Sequence, residues 1–174
     1  DGVAFNPALG TVVYTVTGTD ANGCMDTDDV SVTVNALPVV DAGADQMVCD
    51  GDDVTLSGSG TVSYTWDNSV TDGVAFSPAV GTIVYTVTGT DANGCMNTDD
   101  VSVTVNPIPT VAFAALSNAC VTHAPITLTQ GTPAGGTYSG TGVSGGSFNP
   151  ATAGVGTHTI TYTVTQSGCE GSAQ

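Results

Sequence analysis

Residues 1–35 and 72–106 are nearly the same sequence at an offset of 71. The first reads DGVAFNPALGTVVYTVTGTDANGCMDTDDVSVTVN and the second DGVAFSPAVGTIVYTVTGTDANGCMNTDDVSVTVN, so only four positions differ: Asn6/Ser77, Leu9/Val80, Val12/Ile83 and Asp26/Asn97. A more distant third copy follows. Phe148-Asn149-Pro150 matches Phe76-Ser77-Pro78, Tyr162-Thr163-Val164-Thr165 matches Tyr85-Thr86-Val87-Thr88, and Cys120 and Cys169 match Cys49 and Cys95. A fixed period means an array of like modules, each a unit that repeats along the chain. The expected division is 1–35, the C-terminal half of a module; 36–106, a complete module; and 107–174, a module lacking its last strand. The joints Asn35-Ala36-Leu37-Pro38 and Asn106-Pro107-Ile108-Pro109 carry proline, which stiffens a linker. Asp1-Gly2-Val3-Ala4-Phe5 has neither the basic region nor the apolar stretch of a signal peptide. The sequence reads as a window on a longer repetitive polypeptide.

Within a module, the hydrophobic period is two. Ile83, Tyr85 and Val87 alternate with Val84, Thr86 and Thr88, and Val101, Val103 and Val105 alternate with Ser102 and Thr104. Valine and threonine branch at Cβ and fit a pleated, half-buried surface. No stretch places apolar residues at helical spacing. Asp20-Ala21-Asn22-Gly23-Cys24 and Asp91-Ala92-Asn93-Gly94-Cys95 read as hairpin turns in which Asn-Gly supplies two positive φ values. Strands are expected near 38–42, 46–49, 53–58, 62–66, 73–76, 82–90 and 96–105. The fold class is all-β: tandem immunoglobulin-like, PKD-like antiparallel β-sandwich modules of about 70 residues each, end to end. Trp66 is expected between the sheets, with Tyr138 in the equivalent strand of the third module.

Charge removes whole classes of function. The chain of 174 residues has 15 Asp, one Glu and no Lys or Arg, for a net charge of −16. Without cationic side chains there is no footprint for nucleic acid and no polybasic membrane patch. No apolar run approaches a membrane span, so no membrane insertion is expected in this segment.

Five cysteines are present. Cys49 with Cys95 and Cys120 with Cys169 are expected as one disulfide per module, Cys24 being paired outside the window. Bridging between neighbouring modules, such as Cys24 with Cys49, is the alternative. No CxxC spacing offers a zinc site. A domain of about 70 residues buries little of its unfolded surface, and a cross-link offsets that weakness. Disulfides belong to an oxidising compartment, so the expected location is secreted, extracellular, at the cell surface.

The acids cluster, and 15 of the 16 lie in residues 1–106. With no cationic side chain to pair them, water, backbone N–H groups or metal ions must satisfy them. Calcium suits several carboxylates together, and Asp41, Asp45, Asp91 and Asp99 are its candidate ligands near the joint with the first module. The alternative is a solvated acidic surface that keeps chains apart. No other cofactor is indicated.

Catalytic signals are missing. His123 and His158 have no carboxylate nearby in sequence, and His158 reads as a strand side chain. No G-x-S-x-G elbow occurs. The paired acids fall in turns and are duplicated between copies, which suits a spacer better than one active site. The aromatic residues read as core rather than sugar platforms. The chain is expected not to be an enzyme.

Three phrases carry a resemblance: Tyr85 to Cys95 (YTVTGTDANGC), Asp41 to Gly60 (DAGADQMVCDGDDVTLSGSG) and Gly135 to Cys169 (GGTYSGTGVSGGSFNPATAGVGTHTITYTVTQSGC). They resemble the Ig-like and PKD-like repeats of large Bacteroidota surface proteins, among them SprB-like gliding-motility adhesins and other type IX secretion substrates. The resemblance covers essentially the whole chain. It implies a sandwich fold, a disulfide per module, surface display, and a structural role in an adhesin stalk or extracellular filament. Its partners would be neighbouring modules of the same or identical chains, with surface glycans or other cells as adhesion targets. Two other roles fit the residues: a polymerising subunit completed by strand exchange between chains, and an accessory region of a secreted enzyme.

Overall fold

A computed structural model describes residues 2–174. Nearly all regular structure is β, as the alternation requires. The first repeat copy forms one long hairpin, β1 (Gly10–Thr19) with β2 (Met25–Val34), in antiparallel register from Gly10 opposite Val34 to Thr19 opposite Met25. The second copy forms the matching pair, β7 (Gly81–Thr90) and β8 (Met96–Asn106). Its Thr82 and Thr104 hydroxyls are 3.0 Å apart, reproducing the 2.9 Å pair Thr11 and Thr33. Between the copies run β3 (Gln46–Cys49), β4 (Val54–Thr55), β5 (Ser63–Trp66) and β6 (Ala75–Phe76). β3, β8, β7 and β5 make a four-stranded sheet in that order, and β4 pairs with β6.

These strands fall where the alternation places them, although 53–58 and 73–76 shorten to Val54–Thr55 and Ala75–Phe76, with two further differences. Residues 38–42 form no strand; Asp41 makes a single bridge to Ser59. The pairing expected to be antiparallel throughout is parallel between β3 and β8, with Gln46 opposite Val103 and Cys49 opposite Asn106. Parallel neighbours are joined by a long crossover rather than a hairpin, and 46 residues separate Cys49 from Met96.

Beyond Asn106 the strands are short: β9 (Ala112–Phe113), β10 (Ile126–Thr127), β11 (Gly131–Thr132), β12 (Thr137–Gly140), β13 (Val143–Ser144) and β14 (Ser147–Phe148). β15 (Ile160–Gln166) and β16 (Cys169–Ala173) then close the chain as a hairpin. β16 is five residues, against the eleven of β8. One helical turn, α1 (Pro150–Ala153), was not expected. The Asn149 side chain accepts the Ala151 N–H at 3.0 Å, and Pro150 opens the turn. An N-cap followed by proline is a helix start, too short here to show a period.

By contacts the chain forms two units, whose boundary runs through residues 36–106. One comprises the segments up to Ala44, Thr55–Ala75 and Val84–Val101; its buried side chains are Val40, Ala42, Leu56, Trp66, Tyr85, Val87 and Val101. Trp66 is buried as expected, and its indole N–H donates to Asp72 Oδ1 at 2.8 Å. The other comprises Asp45–Val54, Phe76–Ile83 and Ser102–Gln174; it buries Val54, Val103, Val105, Leu128, Ile160, Tyr162, Val164 and Cys169. There Tyr138 is half-buried, its ring tilted against those of Tyr162 and Phe113 with centroids 4.5 Å and 5.8 Å away.

Candidate functional site

The feature with most chemical content is a clamp built on Cys49 and Cys169. Their Cα atoms are 5.6 Å apart and their sulfurs are bonded, across 120 residues of sequence. Cys49 ends β3. Its carbonyl accepts the Asp52 N–H at 3.0 Å, and its N–H donates to Asp52 Oδ2 at 2.9 Å. Cys169 begins β16, directly after a two-residue turn in which Ser167 (φ 49°) and Gly168 (φ 84°) both take positive φ. That is the type I′ geometry that matches the twist of a hairpin. Asn106 ties the two sides together. Its carbonyl accepts the Asp50 N–H at 2.9 Å, its Nδ2 donates to the Ser167 carbonyl at 3.0 Å, and Cys169 Sγ lies 3.7 Å from its carbonyl oxygen.

This arrangement corrects the expected pairing within modules. Cys49 stands opposite Asn106, at one end of β8, whereas Cys95 lies just before Met96, at the other. Eleven residues of strand separate those ends by roughly 35 Å, and a disulfide needs Cα atoms within about 7 Å. Cys169 is taken by Cys49, so Cys120 is left unbonded and exposed; Cys24 and Cys95 are also free. The bridge joins residues 36–106 to residues 107–174, the alternative of cross-module bridging, though not through Cys24.

The hairpins at Asp20–Cys24 and Asp91–Cys95 form as expected, but with a different turn. Gly23 and Gly94 have φ of 83° and 82°, while Asn22 and Asn93 are not among the positive-φ residues. Gly94 N–H donates to the Asp91 carbonyl at 3.1 Å, and Asp91 N–H to the Cys95 carbonyl at 3.0 Å. This is a tight turn followed by a left-handed glycine, the three-residue hairpin loop. The aspartate drives the difference. Asp91 Oδ1 accepts the N–H of Asn93 at 2.8 Å and of Cys95 at 2.9 Å, and Asp20 does the same for Asn22 and Cys24. Those two bonds, from Cys24 first and Asn22 second, hold the Asp20 carboxyl below its usual pKa.

The same solution meets the other acids. Of the expected calcium ligands, Asp41 accepts from Gly43 N–H at 2.9 Å, Asp45 from Ser102 N–H at 2.8 Å, and Asp99 from Ala42 N–H at 2.9 Å. Asp91 serves its own turn. Among the described residues no group of three or more His, Cys, Asp or Glu side chains is gathered so as to hold a metal. The four carboxylates thus act as acceptors for backbone N–H groups. Asp72 likewise accepts both the Gly58 N–H at 2.7 Å and the Trp66 indole.

His158 lies just before β15 rather than in it, with Nε2 3.0 Å from the Gly154 carbonyl oxygen and its ring 6.1 Å from Phe148. It borders an open cavity of about 400 Å³ with Phe113, Leu116 and Ile160. His123 is exposed. Burial, with Asp67 adding to it, pushes the Tyr85 hydroxyl pKa up. Among the described residues no helix is long and apolar enough to cross a membrane. Sequence reasoning missed Asn106 and the Ser167-Gly168 turn as parts of the clamp; the Ser-Gly pair between two alternating runs was the available signal. No family model matches the chain, and no curated protein gives a significant match.

Proposed function

We propose that this chain is a structural, non-catalytic stretch of an extracellular surface stalk or filament, built from Ig-like sandwich modules of the kind found in large Bacteroidota adhesins. The observation that carries this reading is the repeat itself. A sequence copied almost letter for letter folds twice into the same hairpin, with the same threonine pair and the same aspartate-held turn. Copying a unit extends a chain without redesign, because each repeat needs only its neighbours. The Cys49–Cys169 bridge supports it further, since a cross-link from one repeat to the next resists extension and belongs to an oxidising exterior. The net charge of −16 would keep neighbouring chains apart.

An antibody raised against residues 72–106 tests this reading. It should label intact, non-permeabilised cells and detect a reduced, denatured polypeptide of far greater mass than the 17.1 kDa of this segment. Labelling confined to permeabilised cells would sink the proposal. A second reading is a small subunit completed by strand exchange between chains. A reduced polypeptide near the segment's own mass would favour that reading. Trypsin has no site here, so an aspartate-directed protease must confirm identity.

A further inference from the structure

We propose that Cys49 is a thiol-exchange site, at which a small external aminothiol opens the Cys49–Cys169 bond and stays attached to Cys49. The two sulfurs of a disulfide are not equivalent targets, and access helps decide which one a thiolate attacks. Here access differs. Cys169 is 1% exposed, whereas Cys49 is half-buried. Beside the bond lies an open cavity of about 230 Å³, lined by Met47, Val48, Asp52, Ser167 and both cysteines. It is smaller than the roughly 300–1,000 Å³ of a drug-sized ligand site, so it suits a thiol of a few heavy atoms. Charge then selects among small thiols. Asp50 follows Cys49 directly, and Asp52 is held against it, its Oδ2 accepting the Cys49 N–H at 2.9 Å. No Lys or Arg in the chain offsets them. A thiolate that carries a second negative group is repelled, and one that carries an ammonium is not.

The step is an exchange with no net oxidation. The external thiolate forms a bond to Cys49 Sγ, and the Cys49–Cys169 bond breaks with its electron pair on Cys169 Sγ. Cys169 takes a proton from solvent and becomes a thiol, a weak donor whose acceptor is the Asn106 carbonyl oxygen 3.7 Å away. The opposite attack would expel the better-solvated Cys49 sulfur, but it needs a nucleophile to reach a side chain that is 1% exposed. Cys49 ends β3 and Cys169 begins β16, so the modification unlatches these two strands. The proposal goes beyond the stalk reading and does not depend on it, because it concerns a bond within the purified chain.

The test uses the full chain without denaturant, its free thiols first blocked with N-ethylmaleimide. Cysteamine is added, samples are quenched with acid at successive times, and a peptic digest at acid pH is read by mass spectrometry. Acid protonates thiolates and halts exchange, so the first adduct is preserved. Cysteamine on Cys49 should exceed cysteamine on Cys169 by about tenfold or more in the earliest samples, since access sets the choice. Mercaptoacetate, of similar size and opposite charge, isolates the charge preference. The ratio of the cysteamine rate to the mercaptoacetate rate should fall about threefold or more on going from low salt to 1 M, where charges are screened within about 3 Å. Adducts equal on the two cysteines, adducts mainly on Cys169, or no adduct until denaturant is added would each overturn the site. A rate ratio that salt leaves unchanged would overturn the aminothiol assignment.

Discussion

The hairpins β1–β2 and β7–β8 differ in sequence only at Val12/Ile83 and Asp26/Asn97, yet they live in opposite environments. Val87 is fully buried, and its counterpart Val16 is 61% exposed; Val101 is 1% exposed, and its counterpart Val30 is 58%. The strands and the turn are the same in both. What differs is company. β7 has β5 along its edge, with Trp66 opposite Val87, and β8 has β3 along its own. Among the described residues the first hairpin pairs only with itself. Local sequence is enough to make a hairpin, while burial requires another segment to arrive. One of the two differences has a structural reason. Asn97 Nδ2 donates to the Pro38 carbonyl at 3.0 Å, which the carboxylate of an aspartate could not do.

The sharpest way to widen this contrast is to reduce the disulfide. The bridge spans 120 residues, and the chain-entropy model assigns a loop of that size about 4–5 kcal/mol. Hydrogen exchange of β3, β15 and β16 should accelerate strongly on reduction, while β1–β2 is unchanged. Equal effects on both regions would contradict this account. Next comes the tyrosine pair. Tyr85→Ala empties a buried position and should cost about 3–5 kcal/mol. Tyr14→Ala, on the open hairpin, should cost less than about 1 kcal/mol by chemical denaturation.

A smaller effect comes from the paired glycines. A methyl group at Gly89 would lie 2.6 Å from Thr61 Oγ1 and 2.7 Å from Val40 Cγ2, whereas nothing lies within 4 Å of one at Gly18. Gly89→Ala should destabilise by about 1–3 kcal/mol through overpacking. Gly18→Ala should be neutral, and a matching loss there would show that the first hairpin is covered in solution. The smallest effect is that of acid on the first turn. The Asp20 carboxyl, held below its ordinary value of 3.8 by the N–H groups of Cys24 and Asn22, stabilises the turn fully above that value. The contribution is lost as pH falls through the lower folded value. The amide signals of Asn22 and Cys24 should titrate together with a midpoint below 3.8, and a midpoint at or above it would count against the bonds.

Much of the fold was legible because its causes are local. Strands expected at 46–49, 62–66, 82–90 and 96–105 formed as β3, β5, β7 and β8, each within a residue or so of its ends. The burial of Trp66 was legible too. The turn type was not, because the Asp91 side chain outcompetes the Asn-Gly preference by capturing two N–H groups. The clamp was only half legible. Cysteine content announced a disulfide, but matching cysteine positions in the two modules pointed to pairing within each. The parallel register of β3 on β8 places Cys49 at the wrong end of β8 for Cys95.

The sequence by itself determined the repeat, the all-β character, the hairpins and the positions of their turns. Each of these depends on a few neighbouring residues: β-branching, a period of two, and glycine where φ must be positive. Only the tertiary structure decided which cysteines meet and which backbone N–H groups the carboxylates accept from. Those outcomes depend on which distant segments come within a few ångströms of one another. Spacing along the chain does not encode that distance.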